Sequence, residues 1–331
     1  MAVTVKDVAK YSGVSTATVS RVINNDPRIS AATREKVLQG MAALDYKVNN
    51  IARSLKTNRT YTVGFICPEL SNNFNMTLAK GMEDELRKFG YNVIICNSNE
   101  KADEENERIK VLIQKCIDGI IIIPASNNGA HFKQLSDAGI PVVLADRLVD
   151  DFITDAVLVD NINASYSAME HLIHQGVRRI GYIGGDLKIT PARERDEGYR
   201  RALHDYCIPF ESNIVKYGDF HVQSGYAKME ELMKEENPPV HVFITNYYMH
   251  AGATKYLMEH RNEVKNPVTI TSFDDMELAS LLGYCKVLVS QPMTEIGSRA
   301  AKILMARING EDMSFPMIFR LKAELLFKNW Q

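Results

Sequence analysis

The sequence predicts an α/β protein in two parts: a three-helix head in helix-turn-helix order and a larger body of two doubly wound parallel sheets. Three observations carry this. From about residue 61 onward, short β-branched apolar runs alternate with amphipathic stretches of helical length, the pattern of parallel strands buried on both faces beneath crossover helices. Residues 3–45 lack such runs and instead place Ser, Thr and Gly where short helices start and stop. Charge divides along the same line: residues 1–60 hold ten Lys/Arg against four Asp/Glu, a surplus of +6, and the rest of the chain carries −8.

In the head, Thr4 precedes "VKDVAKYSG", with Asp7 at the third helical position and Gly13 as a left-handed stop. Ser15 caps a second helix from Thr16, and only Gly13 and Val14 separate the two, the tight corner of a helix-turn-helix. A third helix starts at Ser30 and runs to about Asp45. Val8, Ala9, Val14, Val19, Val22 and Ile23, closed by Val37, Leu38, Met41 and Leu44, are the expected core. A concentrated positive end suits a polyanion. With the second helix in a major groove, Thr16, Ala17 and Arg21 would face base edges, while Thr4, Ser15, Thr18, Ser20 and Asn24 would reach phosphates. Arg21 has the paired donors that bind guanine bidentately.

In the body, nine runs read as strands: 62–67, 92–97, 119–125, 141–146, 156–160, 179–184, 242–246, 268–273 and 286–290. Their grouping gives two halves, and ligands in such folds gather beyond the strand carboxyl ends, here the cleft between halves. Asp146 and Arg147, Asn246, Asp274 and Gln291 follow strands directly; Arg195, Phe220, Asn73 and Phe74 stand at the same rim. Aromatic faces with Asp, Asn and Arg suit a neutral polyhydroxylated ligand, because rings cover sugar C–H faces while charged groups pair with hydroxyls.

The 331 residues allow two or three compact units. At 45% hydrophobic and 24% charged residues, with no apolar run near the roughly 20 residues that span a bilayer, no membrane partner is expected. Without a secretory signal pattern the expected location is the cytoplasm. Five cysteines, Cys67, Cys96, Cys116, Cys207 and Cys285, stand singly with no C-x-x-C pair; they are expected to be buried small hydrophobes. His171 and His174 lie three apart on one helix, but nothing completes a metal set, so no metal and no catalytic residue is assigned. Phosphate-cradling loops and the G-x-S-x-G elbow are missing, which argues against an enzyme.

The stretches "TVKDVAKYSGVSTATVSRVIN" and "ARSLKTNRTYTVGFICPELSNNF" resemble the start of the lactose-repressor (LacI/GalR) family of transcription regulators, and the likeness covers nearly the whole chain. The resemblance implies a helix-turn-helix DNA-binding domain at 1–48, a hinge helix at 49–60, and a dimerising core at 61–331 like periplasmic binding proteins, its first subdomain about 61–160 with 291–320 and its second about 161–290 with 321–331. "IARSL" then matches the hinge helix, with Leu55 as a minor-groove wedge, Ala52 against the groove floor and Arg53 near phosphate. The cleft residues match the family's ligand positions, in a set similar to ribose-type binding proteins, with Asn99 adding a hydrogen bond. Asn75 stands where a second stacking aromatic is usual, and Tyr247 and Tyr248 where an acidic residue is usual; the pair of tyrosines would narrow the cleft.

The expected function is therefore a repressor that binds double-stranded operator DNA as a homodimer or tetramer. A sugar-type effector, a pentose among the candidates, would control it, and no other cofactor is expected. The helices around 74–86 and 294–310 are the expected dimer face. Two alternatives stand beside this: a regulator that answers to a corepressor or a phosphorylated carrier protein, and a solute-binding or sugar-modifying module.

Overall fold

Thr4 and Asp7 close a reciprocal cap at the chain's first helix, α1 (Val5–Ser12). The Asp7 carboxylate accepts from Thr4 N at 2.9 Å and from Thr4 Oγ1 at 2.7 Å, while Asp7 N donates back to Thr4 Oγ1. These bonds hold the carboxyl below its usual range. Gly13 ends the helix at φ 61°, and Ser15 Oγ accepts from Thr18 N at 3.1 Å to start α2 (Thr16–Ile23). Ser30 caps α3 (Ala31–Ala43) in the same way. Val8, Val19 and Val37 are fully buried between the three helices, with Ala9 and Val22 beside them. Leu38 departs from expectation at 50% exposed: Val37, one residue earlier on the helix, holds the inward position, and Ile29 and Tyr46 complete the packing.

The computed structural model describes residues 3–23, 26–46, 59–264, 266–275 and 284–327. The chain divides into two compact units, residues 1–60 and 61–331.

The larger unit begins with β1 (Thr62–Cys67), α4 (Asn73–Lys88), β2 (Asn92–Asn97), α5 (Ala102–Gln114), β3 (Gly119–Ile122), a short α6 (Lys133–Asp137), β4 (Val142–Ala145) and β5 (Asp155–Val159). After α7 (Asn161–His174) come β6 (Gly181–Gly184), α8 (Thr190–Asp205), β7 (Val215–Tyr217), α9 (Val222–Met233), β8 (His241–Ile244), α10 (Tyr247–Glu259), β9 (Thr269–Phe273) and β10 (Cys285–Ser290). The chain closes with α11 (Met293–Asn309), β11 (Ile318–Leu321) and β12 (Glu324–Phe327). One sheet has the order β11-β5-β4-β3-β1-β2 and is parallel throughout; the other, β12-β10-β9-β8-β6-β7, is parallel except for β12. The backbone passes between the two lobes three times, after β5, after β10 and between β11 and β12.

All nine apolar runs form strands, most of them buried on both faces, as crossover helices require. Helices α4 and α11 meet through glycines. A Cβ on Gly81 would lie 2.2 Å from the Thr294 carbonyl oxygen, and one on Gly297 would lie 2.0 Å from that of Leu78, so the two backbones touch. α11 buries Ile296, Ala300, Ala301, Leu304 and Met305 inside its own lobe and leaves mostly polar residues outside. Two of the cysteines are also placed differently. Cys116 and Cys207 are exposed, each in a left-handed conformation (φ 54° and 53°) just past the end of α5 or α8, a position set by backbone geometry and not by hydrophobicity.

Two expectations follow. Gly297→Ala forces α4 and α11 apart and should cost roughly 1–3 kcal/mol in urea unfolding. His250, in the first turn of α10, is fully buried with neither ring nitrogen partnered among the described residues, and burial lowers its pKa to about 4. The folded state thus keeps the ring neutral where the unfolded chain takes up a proton. Its contribution is complete above about pH 6.5 and falls by ~1.4 kcal/mol per pH unit toward pH 4. In a pH series of unfolding free energies, His250→Gln should lose that part of the slope.

Candidate functional site

On the head, the side chains of Thr16, Ala17 and Arg21 are exposed along α2, with Ser20 and Thr18 half-buried beside them. Ser15 and Thr18 share a hydroxyl hydrogen bond at 2.9 Å, and the Thr4 hydroxyl is held by Asp7. Asn24, Ala52, Arg53 and Leu55 lie outside the described residues.

In the core, one cleft gathers residues that follow strand carboxyl ends from both lobes. Phe74, Asp146, Arg147, Arg195, Phe220, Asn246, Asp274 and Gln291 all line it, so sequence reasoning anticipated most of the lining. Asn73 and Asn99 do not line it. Asn72 takes the place of the first: it caps α4, its Oδ1 accepting from Phe74 N at 3.0 Å. Glu100 takes the place of the second, while the Asn99 side chain is bonded to Asn97 and Glu104 within its own loop. Ile189 and Pro191 also line the cleft without having been anticipated, and Asn75 lines it at the position where a second stacking aromatic is usual; it is buried and donates to the Glu69 carbonyl at 2.8 Å.

Arg195 is the most constrained group. It is 5% exposed. Its Nε donates to Asn161 Oδ1 at 2.8 Å, Nη1 to the Thr245 carbonyl at 2.7 Å and Nη2 to Gln291 Oε1 at 3.1 Å, and its guanidinium plane lies 4.0 Å from the centre of the Phe273 ring. Gln291 in turn donates to Asp274 Oδ1, and Asp274 Oδ2 accepts from Tyr247 N at 3.2 Å. Burial pulls Arg195 below its ordinary pKa, and the Asp274 and Asp146 charges oppose that pull. Asp146 is shifted the other way: burial raises its carboxyl, and Oδ1 has no partner among the described residues. A buried acceptor without a donor is costly, and a ligand hydroxyl would satisfy it.

Backbone strain concentrates here. Asp146, Phe220 and Asp274 sit at φ 63°, 68° and 71°, and Asn99 and Glu100 at 51° and 55°. Each left-handed non-glycine residue costs on the order of 1–3 kcal/mol and persists only where the surroundings enforce it; in return, side chains turn into the cleft directly off the strand ends. The open volume is about 60 Å³, room for a few waters, because the lobes are drawn together. Tyr248 Oη donates to the Ser71 carbonyl across the cleft at 3.0 Å. Thr190 Oγ1 accepts from Leu148 N at 3.2 Å and donates to Leu148 O at 3.3 Å. Of the two tyrosines, Tyr248 therefore does bridge the mouth. Among the described residues no cluster of His, Cys, Asp and Glu is arranged to hold a metal; His171 and His174 hydrogen-bond separately, to Gln175 and Tyr206. Nor is any helix among them long and apolar enough to cross a membrane.

A helix-turn-helix head followed by a two-lobed core with a polar cleft between parallel sheets defines a ligand-responsive regulator of the periplasmic-binding-protein type. The chain belongs to the LacI family: residues 4–49 match the bacterial regulatory proteins of the lacI family, and residues 60–317 match the periplasmic binding proteins and sugar binding domain of that family. It is a DNA-binding transcription regulator and not an enzyme. It is 33% identical over 320 residues to catabolite control protein A of Priestia megaterium, covering 96% of each chain. It is 32% identical over 306 residues to the ribose operon repressor of Escherichia coli strain K12, covering 92% of this chain and 93% of the relative. Among solved structures, the complex of the transcriptional regulator CelR with cellobiose superposes with a TM-score of 0.73 at 28% identity over 98% of both chains.

The bridge across the mouth has a direct consequence. Tyr248→Phe removes one exposed hydrogen bond worth at most about 1 kcal/mol and should lower the urea midpoint only slightly. It should speed amide exchange around residues 71–76 and at the start of α10; unchanged exchange would show that this bond does not restrain the lobes.

Proposed function

We propose that the protein represses transcription by binding a two-fold operator as a homodimer, and that a sugar-sized polyol, a pentose among the candidates, enters the cleft to change operator affinity. The observation that carries this reading is the buried Asp146 Oδ1, without a hydrogen-bond partner among the described residues and set among amide, guanidinium and aromatic groups contributed by both lobes. Such a set recognises hydroxyl groups by directional hydrogen bonds and sugar C–H faces by ring contact. The name of the ribose operon repressor and the cellobiose in the CelR complex support a sugar as the chemical class. Typical ligand pockets measure about 300–1,000 Å³, so loading requires the lobes to separate and close again, which is the motion a sensor needs.

In this reading α2 enters the major groove. Arg21 reads a base there, Thr16 and Ala17 lie along base edges, and Thr4, Ser15, Thr18, Ser20 and Asn24 approach phosphates. Ala52, Arg53 and Leu55 act in the minor groove.

The test has two arms. Operator sites are selected from random duplexes and affinity is followed against salt: true phosphate contacts give a steep linear fall of log K with log salt. Arg21→Ala should cost about 1–3 kcal/mol and relax preference at one base position. The protein is then screened by thermal shift against pentoses, hexoses and polyols. A stabilising sugar must change operator affinity, and operator must change its affinity by the same factor. Equal sugar affinities with and without operator would remove the allosteric claim.

A further inference from the structure

We infer that Glu100 sets the charge class of the effector: by engaging Arg147 it makes the cleft accept uncharged polyols and reject phosphorylated sugars. The inference rests on the reading of the cleft as a sugar site.

A guanidinium at the edge of a cleft is a natural phosphate receptor, because its two terminal nitrogens match two phosphate oxygens. Arg147 stands in that place with 12% of its side chain exposed. Both terminal nitrogens are already engaged: Nη1 donates to Glu100 Oε2 at 2.8 Å and Nη2 to Glu100 Oε1 at 3.0 Å, a two-pronged pair, and Nη1 also donates to the Pro124 carbonyl at 3.0 Å. Only Nε is left without a hydrogen bond among the described residues, and it faces Asp146 Oδ2 at 3.9 Å. Against burial, which works to discharge it, the Glu100 carboxylate keeps the Arg147 guanidinium above its ordinary pKa. The other cleft guanidinium, Arg195, has a donor committed on each of its three nitrogens.

Three carboxylates, Glu100, Asp146 and Asp274, thus face two guanidiniums in the lining. A phosphate group entering here would have to break a two-pronged ion pair and then lie beside an excess of negative charge where little water fits. A hydroxyl meets no such barrier: Asp146 Oδ1 accepts from it and Arg147 Nε donates to it.

The position of Glu100 is built. Asn99 and Glu100 are consecutive left-handed residues, a conformation that the loop enforces: Glu100 N donates to the Pro68 carbonyl at 3.1 Å, Lys101 N to the Ser98 carbonyl at 2.9 Å, and the Asn99 carboxamide is tied to Asn97 and Glu104. Although 42% of the glutamate side chain remains exposed, the loop does not release it to solvent. Here it is turned back over the cleft to reach an arginine 47 residues further along the chain.

The experiment compares the full-length wild type, Glu100→Gln, and the double variant Glu100→Gln/Arg147→Gln. Each is titrated calorimetrically with D-ribose, D-glucose and D-fructose and with their phosphate monoesters, and its thermal midpoint is followed in inorganic phosphate. The wild type should bind a free sugar at least 100-fold more tightly than the matching ester. Glu100→Gln should narrow that preference at least 10-fold and gain a phosphate-dependent rise in midpoint, and the double variant should lose both gains. An ester bound by the wild type as tightly as its parent sugar overturns the proposal, as does an unchanged preference in a Glu100→Gln protein that still binds sugar; the sugar reading survives either result. Absence of any sugar or ester binding by wild type and variants alike sinks the sugar reading, and the role of Glu100 with it.

Discussion

A guanidinium removed from water needs a partner on every side, and the arrangement around Arg195 ties the two-lobed core together. Its contacts reach the end of β8 through Thr245, the face of Phe273 on β9 and the residue after β10, Gln291, while Asn161 opens α7 just past the first passage between lobes. The preceding residue on α8, Glu194, accepts from Asn161 Nδ2 at 3.2 Å and from Arg320 Nη2 at 2.7 Å. Arg320 lies on β11, next to the third passage. Two adjacent residues of one helix are therefore bonded to side chains at all three passages. Breaking such a buried set by deleting one charged partner typically costs several kcal/mol, because the others remain desolvated.

This wiring makes the cleft and the hinge one physical object. Asp274 and Gln291 line the cleft and also complete the shell of Arg195. A ligand that pulls on either alters the bonds that fix the angle between lobes. On the opposite side, Phe74 lines the cleft from the first turn of α4, and α4 is locked backbone to backbone against α11 by Gly81 and Gly297. The first lobe therefore has to respond as a rigid piece. A ligand shifts the balance between open and closed forms only by its difference in affinity for them, and a site with residues on both lobes supplies that difference, since half its contacts vanish on opening.

Much of this was legible in the sequence, for reasons that also explain the failures. Strands such as β1, β3 and β9, buried on both faces, show as continuous apolar runs. β7 is three residues long, and β11 and β12 are half-exposed strands beyond the last helix, so their runs carry no comparable signal. The site was read by taking polar residues after strand ends, which works wherever the side chain turns inward at once, as at Asp146, Asn246, Asp274 and Gln291. It slipped by one residue at Asn73 and Asn99, because which of two neighbours faces the cleft depends on loop backbone conformation. In the left-handed pair, Asn99 is of a type that favours that conformation, but Glu100 carries no marker in residue type. Leu38 is a similar slip of helical phase, since α3 has apolar residues on adjacent positions.

The capping and binding roles of the strand-end residues are not alternatives. Asn246 Oδ1 accepts from Met249 N at 3.0 Å, and Asp274 Oδ2 accepts from Tyr247 N, so both side chains serve the start of α10. A helix N-terminus aimed at a cleft ordinarily attracts anions through its unpaired N–H groups and its partial positive charge. Here two of those amides are already engaged by the residues that line the cleft. The same economy governs the guanidiniums, with Arg195 enclosed by neutral acceptors and Arg147 held by Glu100. The positive features of the cleft are thus largely answered from within the protein, while among the described residues Asp146 Oδ1 and the neighbouring Arg147 Nε are left without a hydrogen bond. What such a surface lacks is a hydrogen-bond donor without charge, which is the property of a hydroxyl group.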